Sequence, residues 1–102
     1  MAQGEVPLAA IDELFHDTLS RVTRVTLRPG ETTGLHTHPH DYVVIPVRGG
    51  TVIVEDSEGS RPFVMTSQQS YRREAGVTHS LTNSSEDAIE FFEVDEAEVG
   101  DK

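Results

Sequence analysis

Apolar residues along the chain fall in short bursts rich in Val, Ile, Thr and Phe, separated by glycine, proline and acidic turns. Past the first 20 residues no segment keeps a helical period. The pattern predicts strands at 19–27, 41–48, 51–56, 61–65, 70–73, 78–83 and 88–94. Turns fall at Arg28-Pro29-Gly30, Gly49-Gly50, Ser57-Glu58-Gly59-Ser60 and Glu74-Ala75-Gly76, where glycine or proline suits a bent backbone. Many short strands at this spacing predict an all-β sandwich or barrel, and a jelly roll folds such strands around one interior. The division expected is an N-terminal arm at 1–18, a barrel at 19–95 and an acidic tail at 96–102.

One strand breaks the simple alternation. Val43-Val44-Ile45-Pro46-Val47 is apolar at both parities, so neither face of it suits water. A covered outer face is expected, most simply by a second copy of the chain in a homodimer. Pro46 has no N–H for a ladder bond, which predicts an edge position or a bulge.

Length and charge narrow the partners. At 102 residues the chain makes one domain, so a site must lie in its single core or at a subunit interface. A net charge of −10, from 18 acidic against 8 basic residues, repels phosphate backbones and anionic headgroups, and no nucleic acid or membrane partner is expected. The acidity gathers at the end, in Glu86, Asp87, Glu90, Glu93, Asp95, Glu96, Glu98 and Asp101, which suits a solvated last strand and tail. Without cysteine there is no disulfide, thiolate ligand or cysteine nucleophile. The first residues lack a basic start and a long apolar stretch, and no run approaches the roughly 20 apolar residues of a bilayer span; a cytoplasmic location is expected.

Three of the five histidines fall within five positions, in His36-Thr37-His38-Pro39-His40. On an extended strand, residues i and i+2 point the same way, about 6.6–7 Å apart, so His36 and His38 can converge on one ion. His40 and Tyr42 continue the parity, with Pro39 free to bend the chain between them. A lone pair of histidines carries little weight. In Thr78-His79-Ser80-Leu81-Thr82-Asn83, however, the alternation turns His79 inward with Leu81. Three neutral imidazoles would leave coordination positions open, as in a catalytic rather than a structural metal site.

These residues resemble those of a small single-domain cupin. The pattern G-x5-H-x-H-x3-E-x6-G is matched at Gly30, His36, His38 and Gly49, with Tyr42 where the family usually has glutamate. The pattern G-x5-P-x-G-x2-H-x3-N is matched at Gly76, His79 and Asn83, with Gln68 and Glu74 at its glycine and proline positions. The resemblance implies a cupin double-stranded β-helix of six to eight strands, usually dimeric, with a divalent metal held by His36, His38 and His79. It also implies turn roles for Gly30, Gly49 and Gly76, and a role for Asn83 in ordering its strand. HDYVVIPVRGG and SYRREAGVTHSLTN are similar to a group of small bacterial cupins associated with β-alanine degradation.

The departure at Tyr42 bears on chemistry. Without glutamate, three neutral imidazoles leave a divalent ion its full charge, which favours a small anionic chelator as ligand. Tyr42 is either a weak fourth ligand or a hydrogen-bond donor to the occupant of the open position. The donor role is favoured, because a free phenol stays protonated up to a pH near 10. His40 is expected at the rim, as a substitute ligand only if its loop turns inward, Asp41 as a hydrogen bonder at a strand start, and His16 exposed. Among Tyr71, Arg72 and Arg73, one pair sharing a face can enter the interior, where an arginine would grip a carboxylate through two bonds; a surface ion pair with the acidic tail is an equal alternative. The leading reading is a metal-dependent, dioxygenase-type oxidoreductase using non-haem iron on a small anionic metabolite. Zinc, manganese, nickel or copper would also suit the ligands. The alternatives are a non-catalytic small-molecule binder and a zinc-dependent hydrolase or isomerase.

Overall fold

The computed structural model describes residues 6–96. Nine strands follow in chain order: β1 (Ala10–His16), β2 (Ser20–Leu27), β3 (His36–Thr37), β4 (Tyr42–Arg48), β5 (Gly50–Asp56), β6 (Gly59–Met65), β7 (Tyr71–Arg73), β8 (Thr78–Asn83) and β9 (Ile89–Glu96). They form a five-stranded sheet in the order β1-β2-β9-β4-β7 and a four-stranded sheet in the order β3-β8-β5-β6. Every named pairing is antiparallel, and the two sheets close as a jelly roll. Among the described residues no helix is long and apolar enough to cross a membrane.

Period-2 alternation builds the interior. The first sheet turns in Val25, Leu27, Tyr42, Val44, Ile89 and Phe91, and the second adds Val52, Met65 and Leu81. Each large apolar side chain buried this way stabilises the fold by about 1.5–3 kcal/mol. Asn83 sits among them without cost, because its amide donates to the carbonyls of Leu27 and Asp87 and its oxygen accepts from Ser85 N. That network ties β8 to the end of β2, as its expected ordering role requires.

The seven predicted strands are all present, with ends moved by one or two residues. Two strands are additional, the two-residue β3 and, inside the segment read as an arm, β1. The seven residues of β1 are all exposed and its register slips between Glu13 and Phe15, so it carries no clean alternation to read. Pro46 lies in a central strand, at a register shift between Pro46 and Arg48; of the two expected settings, the bulge is the one found. The outward residues of β4 meet apolar partners, since the register aligns Phe15, Val22, Val94 and Val43 across four strands. Of the acidic tail expected at 96–102, only Glu96 falls within the described residues.

The motif positions that depart from the family pattern leave a backbone trace. Gln68, at a glycine position, has φ +66° and is the sole non-glycine residue with positive φ among those described. A side chain there costs roughly 1–2 kcal/mol. Gln68→Gly is therefore expected to raise stability by about 1 kcal/mol after the added freedom of the unfolded chain is subtracted, measured as a higher urea midpoint. Gly49 is needed for space instead: a Cβ there would collide with the Met65 carbonyl oxygen.

Candidate metal centre and its cavity

β3 and β8 pair with His36 directly opposite His79, and His38 lies two residues on from His36. The ligand nitrogens of His36, His38 and His79 all lie within 4.8 Å of one another. Their rings meet edge to face, with centroids 4.6–5.2 Å apart. The loop after His38 is held by His38 N donating to Val77 O and Gly76 N donating to His38 O, so the backbone fixes both motifs against each other. Gly76, at φ +95°, makes the turn into β8.

The protonation pattern suits ligation. His36 Nδ1 lies 2.8 Å from Gly34 O; a carbonyl only accepts, so Nδ1 carries the proton and neutral His36 presents the lone pair of Nε2. That Nε2 is 2.9 Å from Nε2 of His38. His79 Nε2 is buried with no hydrogen-bond partner, an orphan that a cation would satisfy. Burial, then the neighbouring imidazoles, push the pKa of His38 down to about 4. Burial followed by His36 does the same to His79, also to about 4. Both are thus neutral donors at pH 7. Imidazole nitrogens about 2.0–2.1 Å from one tetrahedral ion lie about 3.3–3.4 Å apart, so the widest pair must draw in by roughly 1.4 Å on binding. The residues fit a divalent ion.

Tyr42 is 1% exposed and lies flat against His38, with ring centroids 3.9 Å apart. Its hydroxyl is buried with no partner. Burial, reinforced by Glu93, pushes the phenol well above its usual pKa.

Beside His79 and Tyr42 opens a cavity of about 310 Å³, whose walls include Tyr71, Arg73, Phe63 and Glu93. This is the small end of the range for ligand pockets. The inward pair on β7 is Tyr71 and Arg73. Arg73 lies over the Tyr71 ring at 4.3 Å from its centroid and over Phe63 at 5.5 Å. Arg72 turns outward and makes the expected ion pair with the end of the chain, gripping Glu96 at 2.8 and 2.7 Å. Asp41 bonds Ala75 N at 2.8 Å at the strand start, as expected. His40 points away from the three imidazoles, toward a separate pocket with Asp95, Arg21 and His16, and His16 is exposed.

Glu93 was not singled out in the sequence. Its surroundings are so acidic that the strand suggested a solvated edge, yet Ile89, Phe91 and Glu93 share one parity and the first two are fully buried. Burial, with Asp95 adding to it and Arg21 opposing, raises its pKa to about 7.

The family model for the cupin domain matches residues 23–95. The chain belongs to the cupin family. This cupin is 42% identical over 74 residues to a β-alanine degradation protein, BauB, of Pseudomonas aeruginosa, covering 72% of this chain and 78% of that one. A cupin domain from Bordetella pertussis Tohama I superposes with a TM-score of 0.89 at 33% identity, over 92% of this chain and 98% of that one. An RmlC-like cupin with a double-stranded β-helix fold from Methanocaldococcus jannaschii has a TM-score of 0.74 at 14% identity, over 95% and 87%, a likeness of fold alone.

Proposed function

We propose that this cupin binds one divalent metal ion through His36, His38 and His79 and acts on a small anionic metabolite as a dioxygenase-type oxidoreductase. The observation that carries the reading is the buried, unpartnered Nε2 of His79 beside the imidazoles of His36 and His38. An iron(II) ion there would supply the electron-transfer chemistry that dioxygen requires, and zinc would instead acidify water for hydrolysis.

The chain's own groups set the rest. Tyr42 stays protonated because burial and Glu93 oppose its ionisation, so it serves as hydrogen-bond donor to the cavity's occupant rather than as a fourth ligand. Arg73, held flat on Tyr71, offers guanidinium N–H groups to an anion. Apolar walls at Phe63, Val44 and Leu81 lower the local dielectric and strengthen each of these contacts. BauB's connection with β-alanine degradation supports a metabolite of that size. The same reading assigns the outward row of Phe15, Val22, Val94 and Val43 to a second copy of the chain, and a dimer mass in light scattering checks it.

Oxygen uptake by the iron-loaded protein over a panel of small amino and thiol acids tests the reaction. Uptake with one class of acid, absent from the zinc-loaded protein, is expected. Ligand binding without uptake for any acid would favour the non-catalytic binder.

A further inference from the structure

Four charged side chains that the proposed metal site does not use as ligands line the cavity beside His79, namely Asp56, Arg61, Arg73 and Glu93, and two of them have no ionic partner among the described residues. Arg61, on its rim, is neutralised by Asp56 at 2.7 and 3.1 Å. Arg73 has no carboxylate partner among the described residues; its protein hydrogen bond, at 3.1 Å, is to Arg72 O. Glu93 makes no hydrogen bond or ion pair there either. The nearby Arg21 is engaged by Glu13 at 2.8 Å.

The two charges face the space from different strands, Arg73 on β7 and Glu93 on β9, with β4 between them in the sheet. Tyr42 and Tyr71 lie within the influence of both: at each phenol Glu93 raises the pKa and Arg73 lowers it. Glu93 itself is shifted by Asp95 and Arg21, not by Arg73. No ion pair within 4 Å joins the cation and the carboxyl, a whole strand lies between them, and both line the same cavity, so an occupant of the space between can meet both. A lone buried carboxyl is costly in an apolar cavity, and a ligand cation removes that cost.

Resting on the assignment of this cavity as the ligand site, we infer that its ligand is a small zwitterion, with Arg73 holding the carboxylate and Glu93 the ammonium group. A simple carboxylate would satisfy Arg73 and leave Glu93 unpaired; a simple amine would do the reverse. Glu93 is therefore the residue that distinguishes an amino acid from the corresponding plain acid.

The test is calorimetric titration, at pH 8, of metal-free and zinc-loaded protein with glycine, β-alanine and 4-aminobutyrate. Acetate, propionate and butyrate serve as the matching acids, and methylamine, ethylamine and propylamine as the amines. One amino acid is expected to bind about tenfold or more tightly than its acid and its amine, the usual scale for a charge-assisted contact. Glu93→Gln should bring that amino acid down to the level of its acid without weakening the acid, whose binding rises, if it changes, as a like charge is removed. Arg73→Met should weaken amino acid and acid alike. Equal binding of acid and amino acid by the wild type, an unchanged preference in Glu93→Gln, or no binding of any probe would overturn the inference. A preference that persists in protein unable to take up metal would leave this inference standing and sink the metal site instead.

Discussion

Glu93→Gln is expected to stabilise the metal-free, ligand-free protein by on the order of 2–3 kcal/mol at pH 8, and to change it little at pH 4. The carboxyl is lifted from 4.5 to about 7, by burial first, then by Asp95 with Arg21 opposing. A carboxyl whose folded pKa is raised binds its proton more tightly in the native state. Its environment is harmless below about pH 4.5, where both states are protonated, and stability is lost as the pH climbs from there through 7. Glutamine has nearly the same shape and no charge to desolvate, so the variant escapes the loss. Urea unfolding of both proteins at the two pH values measures it. A residue that lowers stability while lining a ligand cavity is what a binding role leads one to expect. Greater stability of the wild type at pH 8 would mean that a protein partner already satisfies Glu93.

The second large effect concerns the imidazoles. His36 and His79 sit on adjacent strands of one sheet, fixed in register, and each contributes one nitrogen to a group of three. Removing either leaves two ligands and an open side, so a divalent ion that needs all three is expected to be lost on dialysis. His36 is only half-buried, so its replacement by alanine leaves a smaller void than that of His79 and guards the experiment against simple misfolding.

Period-2 alternation made much of this molecule legible. In Thr78–Asn83 it turned His79 and Leu81 inward, and the same period put His36 and His38 on one side, because a strand with one wet and one buried face writes its geometry into its residue types. Pro46 called for an edge position or a bulge for an equally local reason, the missing N–H, and the register shift beside it decides for the bulge. β1 was illegible because an edge strand with every residue exposed has no buried face to record. Glu93 and Asp95 were hidden by composition: in a strand crowded with carboxylates, two that point inward look like the rest. Tyr42 could be placed by motif, but its stacking on His38 depends on the approach of the loop after β3 to β4, which residue types alone do not specify.

His36, His38 and His79 are the proposed holders of one metal ion in this cupin. Elemental analysis of untagged wild type, His36→Ala and His79→Ala, each reconstituted with iron(II), zinc, manganese or nickel and then dialysed, addresses that role most directly. About one ion per chain in the wild type, and substantially less in both variants, is the predicted result. A wild type that retains none of the four metals, or variants that retain as much as it does, would contradict the account.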